Sequence, residues 1–219
     1  MKKIAIHLPV FDRIKIARGC YMGIQRNIKE FKVLGYDVEV FVGGHEPDHE
    51  KMAKEFGWHW LQTPNNNLGE KNQAIFKWMK GFEWDFLLQY GSDDILLPGG
   101  AECIALNMTD YEFACFTDLY FFRSSDGEGT LLKGYPCGAC RFISRRICDG
   151  VDIMWINARV GNDGRSADRI FQRFKIEPKR MKGVFVADIK SSVNVTPFFR
   201  HSSDMYWMKD IVPEHKHLI

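Results

Sequence analysis

Two adjacent carboxylates follow the most continuously apolar stretch of the chain. Trp84–Tyr90 leads directly into Gly91-Ser92-Asp93-Asp94, and paired carboxylates at the end of a buried strand are costly unless a cation or hydrogen-bond donors accompany them. Carboxylate oxygens are ligands that Mg²⁺ and Mn²⁺ prefer, and these ions in turn bind a pyrophosphate. An Asp in front of Ile95-Leu96-Leu97 could instead cap a helix. We therefore expect a divalent-metal site that includes Asp93 and Asp94, with a helix cap as the alternative.

Two further segments have residue types that suit a nucleotide. Asn67-Leu68-Gly69-Glu70-Lys71-Asn72 opens a helix, where free backbone amides and Lys71 could bind a phosphate or a ribose. Pro9-Val10-Phe11-Asp12-Arg13 ends the first strand, where a nucleobase or ribose could rest. A solvated lysine and a simple turn are the ordinary alternatives for these two segments.

Hydrophobic periodicity predicts the elements that bring these three segments together. Apolar alternation and helical spacing succeed each other through the first ninety residues, with Gly35, Gly57 and Gly81 closing the helices. The order is β-α-β-α-β-α-β, which predicts a parallel sheet flanked by helices. The predicted strands are 4–8, 38–42, 58–61 and 84–90, and the predicted helices are 17–31, 52–56 and 74–79. Ligands bind at the carboxyl ends of such strands, and all three segments follow a strand or open a helix there.

The second half has a different pattern. Strands are predicted at 113–122 and 131–135, joined as a hairpin across residues 124–129, and a last strand is predicted at 184–189. Ser166 is predicted to cap a helix whose inward residues are Ala167, Ile170, Phe171 and Phe174. Because no repeat, linker or low-complexity segment interrupts the chain, we expect one domain over residues 1–219.

Composition excludes several classes of protein. A chain of 219 residues with 45% hydrophobic content can bury a full core, and a net charge of +2 argues against binding nucleic acid by bulk electrostatics. No apolar stretch approaches the roughly 20 residues of a membrane span, so we expect a cytoplasmic protein without a membrane anchor. The six cysteines include Cys137 and Cys140 in a C-x-x-C pattern, but since no second ligand pair accompanies them we predict neither zinc nor a disulfide.

The three chemical segments together resemble family 2 glycosyltransferases of the GT-A fold. Pro9-Val10-Phe11-Asp12 looks like the end of that family's first strand, and Asn67–Ala74 looks like its Asn-x-Gly…Asn segment. Gly91-Ser92-Asp93-Asp94 is similar to its Asp-x-Asp motif, with Gly91 in place of the first Asp. The resemblance covers residues 1–100. It implies an α/β fold with a mostly parallel, Rossmann-like sheet flanked by helices and a small antiparallel portion in the second half.

The resemblance also assigns roles to residues. A nucleotide-sugar donor would bind in residues 1–100 through Pro9, Phe11, Asp12, Arg13, Asn67, Gly69, Lys71, Asn72, Ser92 and Asp93, together with Lys190 from the second half. Mn²⁺ or Mg²⁺ would be held by Asp93, Asp94 and His201. A UDP-sugar is the expected donor. The family carries an acidic pair that contacts the nucleobase at the end of its second strand, and this chain has Gly43-Gly44-His45-Glu46 there instead.

Residues 101–219 would bind the acceptor, which is a glycan, a protein or a modified nucleic acid. A helix-opening acid serves as the catalytic base in such enzymes, and it removes a proton from the acceptor hydroxyl in a single, inverting displacement. Asp168 and Asp163 are the candidates, and we favour Asp168 because it opens the predicted helix at Arg169. The segment Asp188-Ile189-Lys190 would return to the donor site, and Asp188 is a further candidate for the base.

Two other functions fit part of the sequence. A sugar-phosphate nucleotidyltransferase has a similar sheet and metal carboxylates, but it usually has a Gly-rich loop after the first strand, and Pro9–Arg13 contains no glycine. A noncatalytic carbohydrate-binding protein would account for the 14% aromatic content, although Trp78 and Trp84 occupy core-like positions. The resemblance favours a metal-dependent glycosyltransferase over both.

Overall fold

The structure, a computed structural model, describes residues 1–65, 67–155, 162–191 and 204–218. The strands are β1 Lys2–Pro9, β2 Tyr36–Gly44, β3 His59–Gln62, β4 Phe86–Gln89, β5 Asp94–Leu96, β6 Phe113–Arg123, β7 Glu128–Leu132, β8 Phe142–Ser144, β9 Lys179–Lys190 and β10 Tyr206–Trp207. The helices are α1 Ile14–Val33, α2 Pro47–Glu55, α3 Leu68–Met79, α4 Gly100–Asp110, α5 Arg145–Asp149, α6 Asn162–Phe174 and α7 Met208–Ile211, followed by a 3₁₀ turn at His215–His217. No helix among these residues is both long enough and apolar enough to cross a membrane.

The first half forms a parallel sheet in the order β3-β2-β1-β4. β1 pairs with β2 over its full length, from Lys2 opposite Tyr36 to Pro9 opposite Gly43. Side chains of β1 alternate between the two faces: Ile4 packs with α1, whereas Ala5 packs with α3. Because all four strands run the same way, their carboxyl ends share one edge of the sheet.

The second half extends the same sheet with mixed pairing. β8 lies antiparallel to β4 and β6, β7 lies antiparallel to β6, and β9 pairs parallel with β6 and antiparallel with β5. The ten strands among the described residues therefore form one sheet, with helices packed on both faces. The predicted α/β architecture, a mostly parallel sheet flanked by helices with an antiparallel portion in the second half, is confirmed.

Several predicted boundaries in the second half are wrong. The second strand of the hairpin is β7, Glu128–Leu132, rather than 131–135, because the turn closes early: the Gly127 amide donates to the Arg123 carbonyl, and Gly127 has a left-handed φ of 76°. The strand predicted at 184–189 is part of the longer β9, and β10 follows it.

The helix cap considered for Asp93 and Asp94 is also wrong. Asp94 opens the strand β5, because the buried residues Ile95 and Leu96 pair with β9 instead of starting a helix. The helix in this region begins only at Gly100, after Pro98-Gly99.

Candidate functional site

Three carboxylates converge at the edge of the sheet where the parallel strands end. β4 ends at Gln89, a turn follows, and Asp93 and Asp94 lie at the entrance to β5. Asp188 of β9 pairs with Asp94 across the β5–β9 ladder. One carboxylate oxygen from each of the three lies within 4.8 Å of the others, and within the described ranges this is the only such group of acidic, histidine or cysteine side chains.

Gly91 explains how this cluster differs from the Asp-x-Asp motif. A Cβ at this position would lie 2.8 Å from Asp94 Oδ2 and 2.9 Å from Asp93 Oδ1, so a side chain here would force at least one of these carboxylates to move. The Gly91 amide also donates to Asp94 Oδ2 at 2.6 Å. The third carboxylate of the cluster, Asp188, comes from β9, and no local sequence pattern indicates it because the β5–β9 pairing is a long-range contact.

Two cationic side chains hold the cluster in place. Arg13 places Nη1 3.0 Å from Asp93 Oδ2 and donates from Nη2 to Ser92 Oγ at 3.0 Å. Lys190 Nζ lies 2.7 Å from Asp188 Oδ2 and 3.4 Å from Asp93 Oδ2. The structure therefore places four predicted donor or metal residues, Arg13, Ser92, Asp93 and Lys190, in one network. Arg13 and Lys190 face the carboxylates, and their contacts orient the acidic side chains.

The raised pKa values of two carboxyl groups indicate that the cluster would be stabilised by a further positive charge. Burial raises the pKa of Asp94 well above its usual range, and the neighbouring charges of Asp188 and Asp93 raise it further. Burial also raises the pKa of Asp188 to about 6, despite the opposing effect of Lys190. Asp188 Oδ1 is buried and has no hydrogen-bond partner among the described residues. An oxygen in this position suits a metal ligand, because an ion would replace its lost hydration.

Lys71 is not the solvated first-turn lysine of the ordinary alternative. The residue is 3% exposed, and its ammonium donates to the Val10 carbonyl at 2.5 Å and to Asn65 Oδ1 at 3.0 Å. It also lies 5.3 Å from the centroid of the Phe11 ring. Burial lowers the pKa of Lys71, and Glu46 partly opposes this shift. Lys71 therefore holds the loop between β1 and α1 in place through its hydrogen bond to the Val10 carbonyl.

That loop presents Phe11 to solvent beside a carboxylate. Phe11 is 43% exposed, and the backbone turns through Asp12 and Arg13 with left-handed φ values of 46° and 55°. Glu46, just after β2, accepts a hydrogen bond from Asn65 Nδ2 at 3.3 Å and lies 3.5 Å from the Asp12 amide. One acid is thus present close to where the resembling family carries its acidic pair.

The remaining predicted donor residues lie at the start of α3, apart from Pro9 at the end of β1, and they have structural roles there. Asn67 Oδ1 accepts a hydrogen bond from the Glu70 amide at 2.9 Å and caps the helix. Gly69 and Asn72 are buried in its first turns, and the Asn72 carbonyl bonds to His7 Nε2 at 3.0 Å. Pro9 is buried at the end of β1. Asn67, Gly69 and Asn72 therefore position the start of α3, and Pro9 belongs to the core at the end of β1.

The helix that carries the proposed base begins earlier than predicted. α6 starts at Asn162, so Ser166 lies inside the helix and is fully buried, and Asp168 lies in the second turn and is exposed. The prediction that Ser166 caps this helix and Asp168 opens it is therefore wrong, because residues 162–164, which resemble a turn, are helical instead. Asp163 is now the helix-opening acid. His201 lies outside the described residues.

Comparisons with known proteins show the fold. No family model matches the chain, and no curated protein matches its sequence. The structure is similar to that of S. aureus TarS 1–349 in complex with UDP-GlcNAc, with a TM-score of 0.64 and 10% identity over 89% of this chain and 60% of that one. The same fragment in complex with UDP gives a TM-score of 0.63 at 11% identity, over 87% of this chain and 61% of that one.

A second kind of neighbour is a CMP:2-keto-3-deoxy-manno-octonic acid synthetase complexed with CTP. Its TM-score is 0.51 at 11% identity, over 87% of this chain and 89% of that one. The chain thus spans about 60% of the TarS fragment and nearly the whole of the synthetase. These likenesses establish a glycosyltransferase-like α/β fold whose solved neighbours bind nucleotides and a nucleotide sugar.

Proposed function

We propose that the protein is a metal-dependent glycosyltransferase that moves a sugar from a nucleotide-diphosphate sugar to an acceptor hydroxyl. The observation that carries this proposal is the cluster of Asp93, Asp94 and Asp188 at the carboxyl edge of the sheet. Structural neighbours with this fold were crystallised with UDP-GlcNAc and with UDP, which supports a nucleotide-sugar donor. A cytoplasmic location stays a prediction.

The residues present suit Mn²⁺ or Mg²⁺. Asp93, Asp94 and Asp188 would hold the ion through carboxylate oxygens, as hard cations require, and His201 is a further candidate ligand. The buried, unpartnered Asp188 Oδ1 supports this ligand set. When bound, such an ion supplies positive charge that stabilises the diphosphate leaving group.

The donor would lie along the loop after β1. Phe11 offers an exposed ring on which the nucleobase of the donor could stack, and Glu46 offers a carboxylate close by. Lys71 holds this loop through the Val10 carbonyl, and Arg13 joins the loop to Asp93. A UDP-sugar is the donor that we propose, because UDP and UDP-GlcNAc are the ligands of the TarS structures.

A carboxylate on α6 would act as the general base and remove the proton of the acceptor hydroxyl as that hydroxyl attacks the anomeric carbon. The reacting sugar is oxocarbenium-like at that moment, as in glycoside hydrolysis, and a single displacement inverts its configuration. The helix-opening position that suggested Asp168 belongs to Asp163 in the structure, so we propose Asp163 as the base and Asp168 as the second candidate. The acceptor class, a glycan, a protein or a modified nucleic acid, stays open.

A nucleotidyltransferase is the second candidate, favoured by the likeness to the CTP-bound synthetase. Its reaction would consume a nucleoside triphosphate and release pyrophosphate. The loop after β1 contains no glycine between Pro9 and Arg13, which supports the glycosyltransferase over this candidate.

The test is a screen of nucleotide sugars and nucleoside triphosphates with and without Mn²⁺. A ligand that binds only the native state raises its melting temperature. We expect a UDP-sugar to raise it only with Mn²⁺, and slow Mn²⁺-dependent release of UDP to follow. Stabilisation by CTP with release of pyrophosphate, and none by any nucleotide sugar, would favour the nucleotidyltransferase.

A further inference from the structure

Arg141 is a buried arginine that joins the two halves of the candidate site. It precedes β8 and is 3% exposed. A buried guanidinium is costly unless hydrogen bonds satisfy its donors. Arg141 Nε donates to Gln89 Oε1 at 2.8 Å, and Nη2 donates to Ser166 Oγ.

The first partner belongs to the strand that leads into the carboxylates. Gln89 is the last residue of β4, just before the Gly91 turn. The backbone amide of Gln89 also donates to the Arg141 backbone carbonyl at 2.9 Å, and the backbone carbonyl of Gln89 accepts from the Cys140 amide at 2.8 Å. Arg141 is thus fixed to the end of β4 by main chain and side chain together.

The second partner belongs to the helix that carries both candidate bases. Ser166 lies in the N-terminal half of α6 and is fully buried. The C-terminal half of α6 is held by apolar packing instead, with Ile170 in the core and Phe174 against Gly150. Asp163 precedes Ser166 by three residues, a spacing that places both positions on one face of the helix.

We propose that Arg141 is a positioning residue that sets the N-terminal half of α6 relative to the carboxylate end of β4. This inference rests on the proposed function, since it assigns Arg141 a role in placing the base on α6. A rigid link suits the reaction, because a displacement of about 1 Å at the reacting groups can cost about a hundredfold in rate.

The experiment uses three variants of the full chain. Ser166→Ala removes the contact on the helix side, and Arg141→Lys keeps the charge but cannot reach both partners with one planar group. Arg145→Met is the matched control: Arg145 is a nearby arginine that donates to the Phe82 and Lys80 carbonyls and pairs with Asp149 on α5. Ser166→Ala also covers the case in which Arg141→Lys fails to fold.

Two readouts are measured. The first is the affinity for Mn²⁺ with UDP by calorimetry, set against the turnover of UDP-sugar hydrolysis at saturating Mn²⁺ and donor. We expect Ser166→Ala and Arg141→Lys to lower turnover about tenfold or more and to leave the Mn²⁺ and UDP affinities within about twofold. Arg145→Met should change neither the turnover nor these affinities. Parallel losses of affinity and turnover, or an equal loss of turnover in Arg145→Met, would refute a positioning role.

The second readout is hydrogen exchange of α6, which needs no substrate. Amides 166–169 should exchange about five- to tenfold faster in Ser166→Ala and Arg141→Lys, the size expected for one lost hydrogen bond, while amides 171–174 keep their protection. Unchanged exchange at 166–169 would overturn the proposed link. If the unaltered protein turns over no nucleotide sugar, the proposed function fails, and the exchange data still decide whether Arg141 anchors the helix.

Discussion

The carboxylate cluster and helix α6 are held in place in different ways. The cluster lies between strands whose registers are fixed by backbone hydrogen bonds, and Arg13 and Lys190 add ion pairs to Asp93. Helix α6 depends on apolar packing at one end and on Arg141 and Ser166 at the other. We infer that the carboxylate cluster, the proposed metal site, is held rigidly by strand pairing, whereas the position of the proposed base on α6 depends on a few side chains.

The largest expected effect comes from the cluster. Asp93→Asn and Asp94→Asn should each lower turnover by about a hundred- to a thousandfold, the scale for loss of a group that stabilises transition-state charge. Because the three carboxylates repel one another when no ion is bound, Asp94→Asn should leave the melting temperature without metal unchanged or raise it. Asp93→Asn also loses the ion pairs with Arg13 and Lys190, so it should not raise that temperature. Kinetics across a range of Mn²⁺ concentrations and thermal unfolding measure the two effects.

Glu102→Gln is a suitable control for these variants, because Glu102 is an exposed acid on α4. It should match the unaltered protein in both assays. Full activity of Asp93→Asn and Asp94→Asn at every Mn²⁺ concentration would contradict the metal site.

On α6, the two acids should separate. Asp163→Asn should lower UDP-sugar hydrolysis about a hundredfold, the usual scale for loss of a general base, while Asp168→Asn should have a milder effect because Asp168 is exposed in the second turn. Donor affinity measured by calorimetry should survive in both variants. If Asp168→Asn is inactive and Asp163→Asn is active, the assignment is reversed, and if both are active Asp188 becomes the next candidate.

The same contrast explains which features the sequence could predict. In the first half each helix and strand follows from local periodicity, and the order of elements alone implies that the segments at Pro9, Lys71 and Asp93 meet at one edge. The Asn67 cap was predictable because a cap needs only residues a few positions apart.

Local sequence patterns alone do not show the features that depend on long-range pairing, although the family resemblance placed the segment Asp188-Ile189-Lys190 at the donor site. Asp188 joins the cluster only because β9 pairs with β5, and Arg141 reaches Ser166 only because β8 inserts between β4 and β6. The start of α6 was misplaced because Asn162-Asp163-Gly164 has turn-forming residues, and tertiary context overrides that preference. Glu46 was not assigned, since a single acid after two glycines has little pattern.

A smaller loss of metal affinity should follow from filling the space beside the cluster. Gly91→Ala puts a methyl group within 3 Å of two carboxylate oxygens, so Asp93 or Asp94 must move, and Mn²⁺ affinity should fall about tenfold. Gly164→Ala is the matched control on α6, because a Cβ there meets nothing within 4 Å. It should leave Mn²⁺ affinity unchanged and stabilise the helix by about 0.4–1 kcal/mol. Equal Mn²⁺ affinity in both variants would show that the turn tolerates a side chain.

The loop after β1 should respond to loss of its support. Lys71→Met keeps the buried stem but leaves the Val10 carbonyl without its donor, at a cost of about 1–3 kcal/mol in unfolding free energy. UDP affinity should fall with it, whereas Mn²⁺ affinity should change little. Lys77→Met, on the exposed side of the same helix, is the control for denaturant unfolding and calorimetry. A stability equal to that of Lys77→Met would mean that Lys71 does not hold the loop.

The smallest expected effect is a pH dependence from His49, which supports the same loop. Burial lowers the pKa of His49, partly opposed by its hydrogen bond to the Asp12 carbonyl and by Glu46, while Lys71 and Arg13 lower it further. Nδ1 is buried without a partner among the described residues, so a second ring proton would be an unsatisfied donor. The unfolded chain therefore binds this proton more readily, and stability should be lost as pH falls from about 6.5 towards the lowered pKa of the folded state. The fall in melting temperature should stay below about 4 °C. His49→Gln should remove this slope while the exposed variant His45→Gln keeps it, and an unchanged slope in His49→Gln would mean that another group is responsible.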